Sequence, residues 1–185
     1  LTIAGIHFFN KYISEKALVQ NNSFTDFEYK WSYGVIRYSK QGNGTPVLLI
    51  HDLTAGSSSY EWKFIASSLE KNHTVYTLDL LGCGNSDKPV FTYTNFLFVQ
   101  LLKDFVDDVI NDSCDIVTSG TSCEIALMYA LTPNCSVKKI ITVNPYFASR
   151  EELLISKKNK YCNYFYQLPM LGTFAANLKK SGYSD

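Results

Sequence analysis

Serine residues follow a short apolar run in the middle of the chain, where a nucleophile could be placed. Ile116 and Val117 lead into the polar run Thr118–Ser122, and an apolar helical pattern resumes at Ile125. A serine on a sharp turn between a strand and a helix presents its hydroxyl to a substrate and can attack an acyl carbon. Ser122 is therefore the candidate catalytic residue and Ser119 a further one. The alternative for both is turn formation and helix capping.

Two apolar runs nearer the N-terminus also end at polar residues. Val47–Ile50 stops at His51-Asp52 and a loop of small residues, and Val75–Leu78 stops at Asp79 and a glycine-rich turn. Between them, residues 59–69 place apolar side chains at helical spacing. Strand, loop, helix and strand in this order predict a βαβ unit, whose functional loops lie at the strand ends.

The remaining pattern extends the same architecture. Residues 27–40 alternate aromatic and polar side chains, which is typical of a half-exposed antiparallel hairpin with Gly34 near its turn. Further helices are predicted at 94–110 and 125–131, and further strands at 115–117 and 139–143. The sequence thus predicts an α/β fold with a mostly parallel sheet and flanking helices.

Composition excludes several classes of function. The 185 residues carry 17 basic and 17 acidic side chains, so there is no basic excess for a nucleic acid. The five cysteines include no CxxC pair, and we expect most of them to be buried free thiols. The three histidines, His7, His51 and His73, lack the spacing of metal ligands. We therefore predict no metal and no cofactor.

The stretch Val47–Pro89 resembles the α/β-hydrolase superfamily, of the AB hydrolase-1 type. In that family one strand ends in His-Gly before the loop of the oxyanion hole. The next strand ends in Asp before a Gly-x-Gly-x-Ser-Asp-x-Pro turn, which stands here as Gly82–Pro89. The resemblance covers Trp31 to about Leu178. It implies a hydrolase fold, a small-molecule substrate of ester or amide type, and no cofactor.

The family places its nucleophile in a G-x-S-x-G elbow, and this chain has none. In one register Gly120 occupies the nucleophile position, flanked at two residues' distance by Thr118 and Ser122. In the other register Ser122 is the nucleophile, and Glu124 then stands where a small residue is wanted. The first register fits the pattern better. Because its flanking residues are small, a serine introduced at Gly120 is expected to fit.

The resemblance also assigns an oxyanion hole. The backbone N–H of Leu53 and that of Thr121 or Cys123, depending on the register, would stabilise a tetrahedral intermediate. His51 and Asp52 would line the pocket, with His51 as a structural histidine. Asp52 replaces the family's usual glycine, and its charge would oppose an oxyanion unless the carboxylate points away.

Three segments are predicted along the chain. Residues 1–20 are predicted to be an N-terminal helix or the end of a membrane anchor, 21–148 the N-terminal part of the hydrolase core, and 149–185 the start of a helical cap. No histidine follows Glu124. We therefore expect the acid and histidine of a triad, with the last strands, to lie beyond this N-terminal fragment of a longer protein.

We interpret the longer protein, to which this fragment is expected to belong, as a hydrolase of small molecules. The alternative is a non-catalytic pseudoenzyme that binds a small apolar ligand or a protein partner. The protein is expected to be cytoplasmic or membrane-associated, with any attachment made through its N-terminus.

Overall fold

The computed structural model describes residues 4–12, 25–54 and 56–147. Residues 4–12 are helical, and the rest of the predicted N-terminal helix lies outside the described residues, as do the predicted cap at 149–185 and Cys162. None of the described helices combines the length and the apolar character needed to cross a bilayer. The sheet and its helices form one compact unit, Asn21–Phe147, and residues 4–12 belong to a different unit.

Six strands form one sheet. The strands are β1 (Phe27–Trp31), β2 (Gly34–Gln41), β3 (Thr45–Ile50), β4 (His73–Leu78), β5 (Cys114–Ser119) and β6 (Val137–Val143). Their order across the sheet is β1-β2-β4-β3-β5-β6. β3 to β6 are mutually parallel, while the β1–β2 hairpin is antiparallel and joins the sheet through β4. The predicted α/β fold with a mostly parallel sheet is confirmed, and β3 is central in it.

Helices cover the sheet where the sequence shows helical spacing. A 3₁₀ turn, Ser59–Trp62, leads into α1 (Lys63–Leu69), and the other helices are α2 (Asn95–Phe105) and α3 (Ser122–Ala130). Thr94 caps the N-terminus of α2, and its hydroxyl accepts a hydrogen bond from the N–H of Leu97 at 3.2 Å. It continues as a wider π-helical turn, Val106–Ile110, and ends at Asn111 in the left-handed conformation. The predicted helix at 94–110 therefore changes its winding at Val106.

The core has two layers because neighbouring residues of a strand face opposite sides of the sheet. Leu48 and Ile50 pack with α2 and α3 in the larger cluster, while Val47 and Leu49 pack with Trp62 in the smaller one. β3 is buried on both faces, as its continuous apolar run predicts. This packing fixes the carboxyl ends of β3, β4 and β5, where the polar loops begin.

Two predicted boundaries were wrong near the candidate nucleophiles. β5 runs to Ser119, two residues beyond its predicted end, so Ser119 belongs to the strand. α3 begins at Ser122, three residues before its predicted start, so Ser122 belongs to the helix. Small polar residues gave no apolar periodicity here, although the backbone continues each element through them. Only Gly120 and Thr121 remain between strand and helix.

Candidate active site

The polar loops meet at the carboxyl edge of the three central strands. β3 pairs with both β4 and β5 in parallel register, which places Ile50 opposite Leu78 on one side and Thr118 on the other. His51-Asp52-Leu53 comes directly after the end of β3, and Gly120 comes directly after the end of β5. In parallel α/β sheets, ligands bind outside the carboxyl ends of the strands, so this edge is the candidate site.

The turn between β5 and α3 is made by Gly120. Its φ is +55°, in the left-handed region that side chains other than glycine rarely adopt. Its N–H donates to the carbonyl oxygen of Val143 at 3.1 Å, and its carbonyl oxygen accepts from the N–H of Cys123 at 3.4 Å. The turn is thus held from both sides, by β6 and by the first turn of α3.

Ser122 lies beyond this turn, in the first turn of α3. It is fully buried, and its hydroxyl donates to the carbonyl oxygen of His51 at 2.6 Å. Its Oγ therefore links the helix to the loop after β3. Glu124 lies in the same first turn of α3 and is exposed. Ser119 is also buried, at the end of β5.

The carboxylate of Asp52 joins the two loops. Its Oδ1 accepts hydrogen bonds from the N–H of Leu53 at 2.8 Å, the N–H of Thr121 at 2.8 Å and the hydroxyl of Thr121 at 2.7 Å. The structure therefore brings together the N–H groups of Leu53 and Thr121, two of the three assigned by sequence to an oxyanion hole. The N–H of Cys123 donates instead to the carbonyl oxygen of Gly120 at 3.4 Å.

The same carboxylate fills the space beside Gly120. A Cβ atom placed on Gly120 would lie 2.3 Å from both Cγ and Oδ1 of Asp52, far inside van der Waals contact. The expectation that a serine fits at position 120 is therefore wrong. It considered only the neighbours in sequence, whereas the obstructing atoms come from a residue 68 positions earlier.

The surroundings of Asp52 hold it in its ionised form. Partial burial acts to raise its pKa, but hydrogen bonds from the side chain and N–H of Thr121, from Leu53 and from the Thr54 hydroxyl outweigh that effect. The pKa of Asp52 is consequently below its ordinary value. The carboxylate does not point away from the two N–H groups, and it carries its negative charge among them.

His51 is a buried, neutral part of the loop. Its Nε2 accepts a hydrogen bond from the N–H of Leu80 at 3.0 Å, which leaves the proton on Nδ1, 2.6 Å from the carbonyl oxygen of Asp52. Burial lowers the pKa of His51, and the opposing influence of the Asp52 carbonyl and of the carboxylates of Asp79, Glu61 and Asp52 does not reverse this. Both ring nitrogens are occupied by backbone groups.

We expect the stability of the protein to fall as the pH drops below about 6.5, the ordinary pKa of histidine. Since the pKa of His51 is lowered in the folded protein, the unfolded chain takes up this proton first, and the loss can reach about 1.4 kcal/mol per pH unit. His51→Asn should remove this dependence and cost about 1–3 kcal/mol, because the Leu80 N–H loses its acceptor.

Urea unfolding between pH 7 and 5.5 measures this effect. His73→Asn is the matched control, since it leaves the loop after β3 untouched, and the low-pH loss should persist in it. An equal low-pH loss in the His51→Asn protein would contradict the assignment to His51.

The acidic residues around the glycine-rich turn after β4 hold backbone segments together through hydrogen bonds. The buried carboxylate of Asp79 accepts from the N–H of Ser59 at 2.7 Å through Oδ1 and from the N–H of Asn85 at 2.8 Å through Oδ2. Asp87 accepts from the N–H of Val35 at 2.8 Å, which fastens the turn to β2. These residues position the loops around the site.

Two side-chain contacts in the site, from Glu61 and from the hydroxyl of Thr121, carried no recognisable signal in the sequence. Glu61 accepts a hydrogen bond from the N–H of Asp52 at 3.1 Å, and the hydroxyl of Thr121 bonds the Asp52 carboxylate. Glu61 is nine positions from Asp52 in the sequence, whereas Thr121 is 69 positions away. Within the ranges that the structure describes, no cluster of three or more His, Cys, Asp or Glu could hold a metal ion. The four cysteines in those ranges are free thiols: Cys83, Cys114, Cys123 and Cys135.

Comparisons with known proteins agree on one family. Residues 45–175 match the family model described as the alpha/beta hydrolase fold. The chain is 37% identical over 71 residues to a 2-hydroxy-6-oxo-6-(2'-aminophenyl)hexa-2,4-dienoic acid hydrolase of Metapseudomonas resinovorans, covering 38% of this chain and 24% of the relative. It is 32% identical over 111 residues to a proline iminopeptidase of Heyndrickxia coagulans, covering 59% of this chain and 38% of the relative.

Solved structures agree on the fold. An alpha/beta hydrolase fold protein from Burkholderia ambifaria superposes with a TM-score of 0.72 at 22% identity, over 86% of this chain and 57% of that one. A meta-cleavage product hydrolase from Pseudomonas fluorescens IP01 gives 0.63 at 20% identity, over 87% and 64%. The chain thus spans less than two thirds of the length of these relatives. With the sheet order, the loop positions and the family match in agreement, the chain belongs to the α/β-hydrolase fold family.

Proposed function

We propose that this protein is a non-catalytic member of the α/β-hydrolase family, which uses the fold to bind a ligand and does not transfer acyl groups through a serine. One observation carries the proposal. The Asp52 carboxylate lies only 2.3 Å from the position that a nucleophile's Cβ would take at Gly120, and it accepts hydrogen bonds from both Leu53 and Thr121. With that oxygen in place, the anion of a tetrahedral intermediate has no access to these donors.

The environment of Ser122 supports the same proposal. A nucleophilic serine needs an accessible Oγ that is hydrogen-bonded to a base. Ser122 is fully buried, and its hydroxyl donates to the backbone carbonyl oxygen of His51, which cannot accept the proton as a base does. We accordingly assign Gly120 to the nucleophile position and a structural role to Ser122.

The ligand that we propose is a small molecule without a negative charge. Family membership favours a small-molecule ligand at the carboxyl edge of the sheet. The ionised Asp52 lies beside Glu61, whose carboxylate accepts from its N–H. These charges disfavour an anionic ligand and are compatible with an apolar or cationic one. A protein partner at this edge is the alternative form of the same binding function.

The proposal predicts that the natural full-length protein is not labelled by a fluorophosphonate probe at Ser119 or Ser122, with a known serine hydrolase labelled in parallel. Hydrolysis of p-nitrophenyl acetate and butyrate should not exceed the buffer rate. Ser122→Ala should leave both results unchanged and lower stability by about 1 kcal/mol, through the lost hydrogen bond to His51. Peptide mass mapping locates any label.

Hydrolysis of small esters or amides is the second candidate, favoured by the likeness to a dienoic acid hydrolase and to a proline iminopeptidase. It requires Ser122 to leave the carbonyl oxygen of His51 and to meet a base. A fluorophosphonate label on Ser122, lost together with esterase activity in Ser122→Ala, would establish this function and refute the binding proposal.

A further inference from the structure

The carboxylate of Asp52 is held by hydrogen-bond donors in the way that a protein holds a bound anion. Three donors from two separate loops converge on one oxygen, at 2.7 to 2.8 Å. Two of them are backbone N–H groups, of Leu53 and Thr121, whose directions are fixed by the loop after β3 and by the turn before α3. Convergent N–H groups of this kind bind anions in proteins, because their partial positive charges add at one point.

The anion held by these donors is a side chain of the same protein. Asp52 is next to Leu53 in sequence, but 69 residues separate it from Thr121, so its carboxylate reaches across the site to the second loop. Gly120 makes the space, since any side chain there would meet the carboxylate at 2.3 Å. The net effect of its hydrogen bonds lowers the pKa of Asp52, which is what an anion site does to a resident acid.

We infer that the donors of Leu53 and Thr121 form a carboxylate-binding site whose resident ligand is the Asp52 side chain, and that removing this side chain opens the site to an external carboxylate. The Asp52 carboxylate is covalently attached to the chain and is therefore always close to these donors. An external carboxylate in the wild-type protein would have to displace a group held at a high effective concentration, so we expect it to be excluded. This inference does not depend on the proposed function.

Chemical rescue of the natural full-length protein tests the inference. Asp52→Ala should lower Tm by about 4–8 °C, since two N–H groups and a hydroxyl lose a charged acceptor. Sodium acetate or formate should then raise the Tm of this variant progressively, in proportion to the logarithm of concentration above Kd. At equal ionic strength, sodium chloride should not do so, and wild-type Tm should respond equally to acetate and chloride.

A site-resolved measurement separates binding from general salt effects. In Asp52→Ala, the backbone amide resonances of Leu53 and Thr121 should shift and saturate with acetate, and they should not shift in the wild-type protein. Asp87→Ala is the matched control. Asp87 also accepts a backbone N–H, from Val35 at 2.8 Å, but it is an exposed residue with no converging second loop. Loss of Asp87 should therefore not be rescued by acetate.

Asp52→Asn keeps the result decisive if the alanine variant does not fold. Asparagine preserves the size and one acceptor oxygen but removes the charge. The amide protons of Leu53 and Thr121 should then move upfield as their charge-assisted hydrogen bonds weaken, while acetate remains excluded by the side chain. Unchanged amide shifts in Asp52→Asn, or a folded Asp52→Ala that ignores acetate, would overturn the inference.

Discussion

Gly120→Ser is expected to destabilise the protein by about 3–4 kcal/mol and to create no esterase activity. A serine Cβ would lie 2.3 Å from Cγ of Asp52, and a non-glycine residue at a φ of +55° has a further conformational cost. The protein must either strain the turn or expel the carboxylate from Leu53 and Thr121. Denaturant unfolding measures the loss. A Gly120→Ser protein as stable as wild type would contradict the position of Asp52.

A double-mutant cycle isolates the cause. In Asp52→Ala/Gly120→Ser the three atoms nearest to the new Cβ are gone, so the serine should add much less destabilisation than it does alone. We expect a favourable coupling of about 1–3 kcal/mol between the two positions. Additive effects would show that the cost arises only from the backbone conformation at Gly120. Gly120→Ala tests the steric origin further, since it should cost as much as serine.

Phe105→Ala should destabilise the protein strongly, by about 3–5 kcal/mol. Phe105 is fully buried at the end of α2, and its ring contacts three tyrosine rings edge-on: Tyr29 at 5.7 Å, Tyr38 at 5.2 Å and Tyr76 at 6.4 Å between centroids. It thereby joins α2 to the β1–β2 hairpin and to β4. Its removal leaves a cavity that these rigid rings cannot fill.

Phe96→Ala is the control for this prediction. Phe96 lies on the same helix with 77% of its surface exposed, so its truncation should change stability by less than about 0.5 kcal/mol. Unfolding of both variants in urea gives the comparison. Equal losses would contradict the assignment of the effect to burial, because alanine has the higher helix propensity and propensity alone predicts no loss in either variant.

The sequence alone determined the architecture because apolar periodicity is a local property. The continuous run Val47–Ile50 predicted a strand buried on both faces, and β3 is the central strand of the sheet. The helix predicted at 94–110 contains α2, whose buried face includes Leu101, Leu102 and Phe105. The motif Gly82–Pro89 identified the family. Element ends in polar segments, such as the start of α3 at Ser122, were missed because no apolar residue marks them.

The tertiary structure decided what the candidate site contains. The sequence left two registers at the turn after β5, and it treated Asp52 only as a charge near a hole. The hydrogen bonds from Thr121 to Asp52 join residues 69 positions apart, and no local pattern encodes such a contact. The left-handed φ of Gly120, the burial of Ser122 and the space taken by the carboxylate likewise depend on how β3 and β5 lie side by side. The sequence determines which side chains are present, but whether two of them come into contact depends on the packing that brings their loops together.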